Sequence, residues 1–371
     1  MSEISYHGLS DNRDLTEDQY KKCLNILDDV NYLISNSRNY ISDKGLSDSL
    51  FLPGNEWASL DCSSPRRGSY LEINYMRLRG NFNGFDPLVL MHATDPSYAA
   101  RVSGTWSEAA NASGLPENIG DLLHKDMDPL AAMAPVVHDW LEHAMSVPPD
   151  FRVNAPPILG AVGANFGPYL VELYSPALQS RMNAMIHGGL IKHLATTIER
   201  EGRATMVEIG AGYGAQALTL KSLFGDALRY IIIDLPVSLF ASGIYLSVAS
   251  DFQDCWIAMP GGRIPDTFSF AFVANYLLPE YLDQIGPVHA AMNTMSMGEM
   301  APEQVDYYGS VLSKLLGDEG LFYDENCNVF STHVKITLIL KNHFSTCERL
   351  QMGDGPIFKH GCHRIWSNRA S

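Results

Sequence analysis

Apolar positions recur at helical spacing early in the chain, where Tyr20, Cys23, Leu24, Leu27, Val30 and Ile34 follow Thr16-Glu17-Asp18-Gln19. That tetrapeptide has the form of a capping box, so the pattern predicts an amphipathic helix starting there. From Gly45 to Gly84, Gly, Ser, Pro and Asn separate short apolar pieces, which predicts loops and a small hairpin around Tyr70 to Leu78. Helical spacing returns from Pro129 to Met145 and stops at VPPDFRVNAPPILG, whose prolines cannot continue a helix. The break predicts a boundary, with residues 1–150 a mainly helical lobe and 151–371 a second domain. A long helical pattern from Pro176 to Arg200 leads into that domain's core.

Beyond it the periodicity changes. Strand-like runs at Thr205 to Ile209, Arg229 to Asp234, Phe268 to Ala274, His289 to Met295 and Gly320 to Tyr323 are interleaved with helical stretches at Ala215 to Phe224, Leu239 to Ser247 and Pro302 to Leu316. This alternation predicts an α/β fold with a doubly wound, mostly parallel, Rossmann-like sheet. His333 to Phe344 reads as a further helix, and Cys362 to Trp366 as a last, antiparallel strand.

Composition narrows the partners. Forty-two acidic against 26 basic side chains leave a net charge of -16, which repels phosphate backbones and anionic head groups. No nucleic-acid and no membrane partner is expected, and a neutral or cationic small molecule suits the field. The six cysteines lie far apart without a C-x-x-C pair, and the polar start has no export pattern, so a cytoplasmic protein with reduced thiols is expected. No cluster of His, Asp, Glu or Cys has spacing that calls for a metal.

The run MVEIGAGYGA sets Gly210, Gly212 and Gly214 between a strand and a helix, where backbone must bend sharply and approach a ligand closely. Twenty residues past Gly214, the run YIIID ends in Asp234, placed to accept hydrogen bonds from both hydroxyls of a ribose. Bend and acid together specify an adenosine-containing ligand. GAGYGA also satisfies a loose dinucleotide fingerprint, so a nicotinamide-dependent oxidoreductase is the rival reading. Glu208 completes E-x-G-x-G-x-G, which resembles the first motif of the methyltransferase superfamily. A carboxylate there suits the ammonium of S-adenosylmethionine and gives a pyrophosphate less.

The stretch YIIIDLPVSLFASGIYLS after VEIGAGYGAQALTL resembles the sugar O-methyltransferase family, as do MNTMSMGEMAPEQVDYY and GLFYDEN; the match spans about Arg181 to Asn326. The resemblance implies S-adenosylmethionine as cofactor and, as acceptor, a hydroxyl of a sugar or related natural product; a nitrogen acceptor is the alternative. It places Glu208, Gly210, Gly212 and Gly214 at the methionine end, Asp234 and Leu235 at the ribose, and Asn275 at the adenine edge. Asn293 and Ser296 would face the methyl group or the acceptor. The amino-terminal lobe would shape the acceptor pocket and offers a candidate homodimer interface.

Methyl transfer to an alcohol needs alignment and a general base. Glu299, beyond the fourth core strand, is the first candidate. His143, four residues after Asp139 on one helix face, and Asp324 are alternatives, and Asn326 would bind the acceptor or hold the base. Tyr174 and Arg181 are candidates for the cofactor carboxylate.

Overall fold

The computed structural model describes residues 4–8, 11–53, 68–78, 129–326, 335–350 and 363–368. They divide into two compact units: Met1–Leu27, Arg67–Met182 and Ser247–Asp251 form the first, and Asp28–Arg66, Asn183–Leu246 and Phe252–Ser371 the second. Residues 151–182 thus group with the first unit.

The chain opens with β1 (Ile4–His7) and α1 (Glu17–Asp43). The capping box forms as read: Gln19 N–H donates to Thr16 Oγ1 at 3.2 Å, and Thr16 N–H to Gln19 Oε1 at 3.1 Å. After α2 (Asp48–Phe51), the segment expected as a hairpin is instead helical, with α3 (Tyr70–Asn74) followed by a 3-10 turn at Met76–Leu78. The reason is a second capping box, in which Ser69 N–H donates to Glu72 Oε2 at 2.8 Å and Glu72 N–H to Ser69 Oγ at 3.3 Å.

In the first unit, α4 (Pro129–Ala144) accompanies β2 (Gly163–Phe166) and β3 (Tyr169–Glu172). The order is β1-β2-β3, antiparallel throughout. One face of α4 buries Met133, Val136, Val137 and Trp140 against Ala164 and Val171. Each large apolar side chain so enclosed contributes roughly 1.5–3 kcal/mol. Arg77 and Glu172 form a buried ion pair.

The long helix expected over Pro176 to Arg200 is two helices, α5 (Ser175–His187) and α6 (Leu190–Glu201). Gly189 breaks it at φ +74°, and a Cβ on Gly188 would fall 2.4 Å from Ile365.

The second unit then alternates: β4 (Ala204–Ile209), α7 (Ala215–Phe224), β5 (Leu228–Asp234), α8 (Pro236–Ala249), β6 (Cys255–Ile257), β7 (Phe270–Ala274), α9 (Leu278–Ile285), β8 (Ala290–Thr294), α10 (Pro302–Leu316) and β9 (Leu321–Glu325). It ends with α11 (Ile336–Leu340), β10 (Thr346–Arg349) and β11 (His363–Ser367). His333, at the start of the last expected helix, lies outside the described residues.

The eight strands lie in the order β10-β11-β9-β8-β4-β5-β7-β6. Pairing is parallel from β9 to β6, and β11 runs antiparallel to β9 and β10. This is the expected doubly wound, mostly parallel Rossmann-like sheet. From β4 the chain moves outward through β5 to the edge strand β6, steps back to β7, then returns to lay β8 on β4's other side. The loops after β4 and β8 therefore part, opening the crevice at which such sheets take ligands. No helix among the described residues is long and apolar enough to cross a membrane.

Candidate active site at the carboxyl ends of β4, β5, β7 and β8

All of β4 is buried, and the chain leaves it at Gly210 (φ +71°), Gly212 (+58°) and Gly214 (+90°), a conformation that L side chains rarely adopt. The bend is tied to the neighbouring strand by Gly210 N–H donating to Ile233 O at 2.9 Å. A Cβ on Gly210 would sit 2.1 Å from Ser296 Oγ, and one on Gly214 2.7 Å from Leu246. Residues 210–213 stay half-exposed, so the backbone of the bend is open to a ligand. In the first turn of α7 that follows, Gln216 is buried with neither amide atom hydrogen-bonded among the described residues.

Asp234 ends β5 beside this bend. Its Oδ1 accepts from Leu235 N–H at 2.8 Å, and the Ala211 amide and Ser238 hydroxyl also bond the carboxylate. Withdrawal from solvent still dominates and pushes its pKa up to about 7, with the nearby Glu299 carboxylate adding to the rise. Glu208, buried within β4, accepts a hydrogen bond from Tyr230 Oη at 2.8 Å. Met206 pairs with Tyr230 in the β4–β5 register, two positions from Glu208 and on the same face, which brings phenol and carboxylate together.

After β8 the chain turns through Met295, at φ +69°, into a 3-10 turn, Ser296–Glu299. Asn293 brackets this turn. Its Nδ2 donates to Ile209 O at 2.7 Å and Ser296 Oγ at 2.5 Å, while its Oδ1 accepts from Met297 N–H at 3.2 Å and Asn326 Nδ2 at 2.7 Å. Asn326 Oδ1 accepts from Gly298 N–H at 3.1 Å, and Asn326 Nδ2 also bonds Asp324. Asp324 accepts from Arg364 Nε at 2.7 Å and Trp366 Nε1 at 3.3 Å. Burial raises its pKa more than Arg364 lowers it.

These positions alter the expected roles. Asp324, read as an alternative base, and Asn326, read as an acceptor contact, are enclosed at 0% and 2% exposure and engaged by protein groups. Asn293, also at 0%, braces the turn. Glu299 is half-buried at the turn's end, close to Asp234.

Asn275, 3% exposed at the end of β7, donates from Nδ2 to Phe51 O at 2.8 Å. Tyr308 of α10 lies beside both Asn275 and Asp234. Tyr230, Tyr308, Phe51 and Arg364 were not singled out from sequence, because each sits in an apolar or distant segment that looks like ordinary core. Tyr230 alone left a signal, a phenol inside the otherwise aliphatic run YIII.

His143, Tyr174 and Arg181 belong to the first unit. Tyr174 is exposed and Arg181 half-buried. Burial lowers the pKa of His143 although Glu142 and Asp139 act to raise it. On the same helix His138 and Glu142 pair at 3.6 Å on the exposed face.

No protein-family model matches the chain, and no curated protein does. Among solved structures, the precorrin-6y C5,15-methyltransferase of Geobacter metallireducens is similar at 15% identity over 47% of this chain and 87% of that one, with a TM-score of 0.31. Fibrillarin of Aeropyrum pernix, solved with natively bound S-adenosyl-L-methionine, is similar at 13% identity over 52% and 75%, with a TM-score of 0.34. A probable spermidine synthase of Corynebacterium glutamicum gives 10% identity over 52% and 65%, with a TM-score of 0.34. Likenesses this remote leave the weight on the sheet order and the loops themselves.

Proposed function

We propose that the second unit binds S-adenosylmethionine across the ends of β4, β5 and β7 and moves its methyl group to a hydroxyl of a sugar or other small natural product. The observation that carries the reading is the glycine bend, open to solvent, with the Asp234 carboxylate beside it. Asp234 is the acceptor for the ribose hydroxyls. Glu208, held by Tyr230, puts a carboxyl group behind the bend, which suits an ammonium better than a pyrophosphate. The nicotinamide reading is the weaker one for that reason.

The bound cofactor supplies an electrophilic methyl group on a sulfonium. The protein's share is alignment and proton removal. Asn293 and Asn326 fix the turn after β8, and that turn presents Glu299, whose half-buried carboxylate takes the acceptor's proton. The acceptor class rests on the sequence resemblance, and the strongly acidic composition supports a neutral or cationic molecule.

Calorimetry with S-adenosylmethionine and, separately, NAD tests the reading. Binding of the first and not the second is expected. Nicotinamide binding without sulfonium binding overturns it.

A further inference from the structure

Along the amino edge of the second unit's sheet, several basic side chains have an acid within reach. Arg200 pairs with Glu201 at 2.6 Å and with Glu319 at 3.3 Å, and His289, ahead of β8, meets Glu201 at 3.2 Å. Lys221, in the last turn of α7, reaches Asp226 at 3.8 Å. Arg203 and Arg229 lie on the same edge and differ: neither has an ion pair among the described residues.

Arg203 comes directly before β4, and Arg229 is the second residue of β5, level with Thr205 in the β4–β5 register. Both guanidinium groups arrive at one short segment ahead of β7. Arg203 Nη1 donates to Asp266 O at 3.4 Å, and the guanidinium carbon of Arg229 lies 4.6 Å from the centroid of the Phe268 ring. Tyr230 N–H, donating to Ser269 O at 3.1 Å, lays that segment along the start of β5. Phe268 is buried, so its ring gives Arg229 a fixed face to rest on through cation–π attraction. Arg229 Nε is enclosed and has no hydrogen-bond partner among the described residues. Burial and repulsion from Arg203 hold the Arg229 pKa below its usual value, and the attraction of Asp266 counts for less than that repulsion.

Two like charges brought together, one with a buried N–H unmatched, destabilise the free protein, and such a group calls for an explanation. A guanidinium fork matches the oxygens of a phosphate, and two forks offset the charge of a dianion. The net charge of -16 opposes an anion, but at physiological salt exposed charges act over only about 8 Å, so the two arginines dominate their own surroundings. We propose that Arg203 and Arg229 form a binding site for a phosphate dianion, free or as the end of a phosphomonoester, at the sheet edge opposite the glycine bend. Arg229, resting on Phe268, supplies the fixed fork, and the exposed Arg203 closes on the ligand from the rim. The site is separate from the one proposed for S-adenosylmethionine and does not depend on it.

Calorimetry of the full chain with inorganic phosphate, at an ionic strength held constant with chloride, tests the site. The wild type is expected to bind phosphate saturably. Arg229→Gln and Arg203→Gln should each weaken binding about 10- to 100-fold, the scale of losing hydrogen bonds to a charged group. Without phosphate, Arg203→Gln should unfold at the same urea concentration as the wild type or a higher one, because repulsion is relieved; this separates lost binding from lost folding. Phosphate should raise the urea midpoint of the wild type and leave that of Arg203→Gln in place. Glycerol 3-phosphate is titrated in parallel: whichever probe binds more tightly names the source, and either result upholds the site. No saturable binding of either probe by the wild type, or binding that survives both substitutions, overturns the inference.

Discussion

Buried polar side chains serve different ends in the two units. In the first, half-buried Asn12 holds both backbone groups of one residue, donating to Ala161 O at 2.8 Å and accepting from Ala161 N–H at 2.9 Å. Gln179 likewise holds Phe151 O at 3.1 Å and Val153 N–H at 2.7 Å. These amides are answered at both ends and join distant stretches of chain. In the second unit Glu208, Asn275, Asn293, Asp324 and Asn326 lie buried at or near the carboxyl ends of strands. Asn275 Oδ1 and both amide atoms of Gln216, in the first turn of α7, have no hydrogen-bond partner among the described residues, as His7 Nε2 and Trp140 Nε1 have none in the first unit. An amide saturated by backbone is a fastener; one with an unmatched atom is not accounted for by the protein's own bonds.

Two buried ion pairs allow the sharpest test of that contrast. Arg364→Ala and Arg77→Ala each leave a carboxylate, Asp324 or Glu172, enclosed without its cation. Each should cost about 3–5 kcal/mol in urea unfolding. Under conditions where both variants are folded, only Arg364→Ala should also weaken S-adenosylhomocysteine binding, since Asp324 reaches the β8 turn through Asn326 and Asn293. Equal weakening by both would erase the distinction.

Glu299→Gln comes next. Once product screening has found an acceptor, turnover should fall about 100-fold, the lower range of general-base effects, with cofactor affinity nearly unchanged. Full activity would take the base role away from Glu299.

The smallest effect concerns pH. Asp234 is an acid raised from 3.8 to about 7 in the fold, so its contribution to stability is present in full below 3.8 and is lost as pH rises through about 7. Ligand binding runs the other way, because ribose hydroxyls need the ionised form as acceptor. Affinity for S-adenosylhomocysteine should climb with pH, by up to about tenfold per unit, and level off above that value. Asp234→Asn should flatten the profile; an unchanged slope would assign the titration to a neighbour such as Glu299.

Much of the second unit was legible from its residues. Strands β4, β5, β7, β8 and β9 each carry their own apolar run and the glycine bend announces itself by composition, whereas β6, β10 and α9, of three, four and eight residues, were too short to read. Asp234 follows because the apolar run YIII stops at it, which marks the end of a parallel strand. The first unit's sheet was not legible: β1 has four residues, and its partner Phe166 lies 162 positions from Ile4. The bonds among Asn293, Asp324 and Asn326 were not legible for a related reason. A polar residue at a strand end looks the same in sequence whether it faces a ligand or a neighbour, and the neighbour that decides, Arg364, arrives on the antiparallel β11. Asn275 showed its amide but not its orientation, which depends on a carbonyl from Phe51.

Met295 carries a last implication. Its backbone sits in a basin that costs an ordinary residue about 1–2 kcal/mol, and its N–H is bonded to Glu325 O at 2.7 Å, at the far end of β9. Left to itself the torsion would swing back. The twist survives only while β8 and β9 stay zipped to their tips, so fraying of those tips and misplacement of Glu299 are a single event, and the exchange rate of one amide hydrogen would time it.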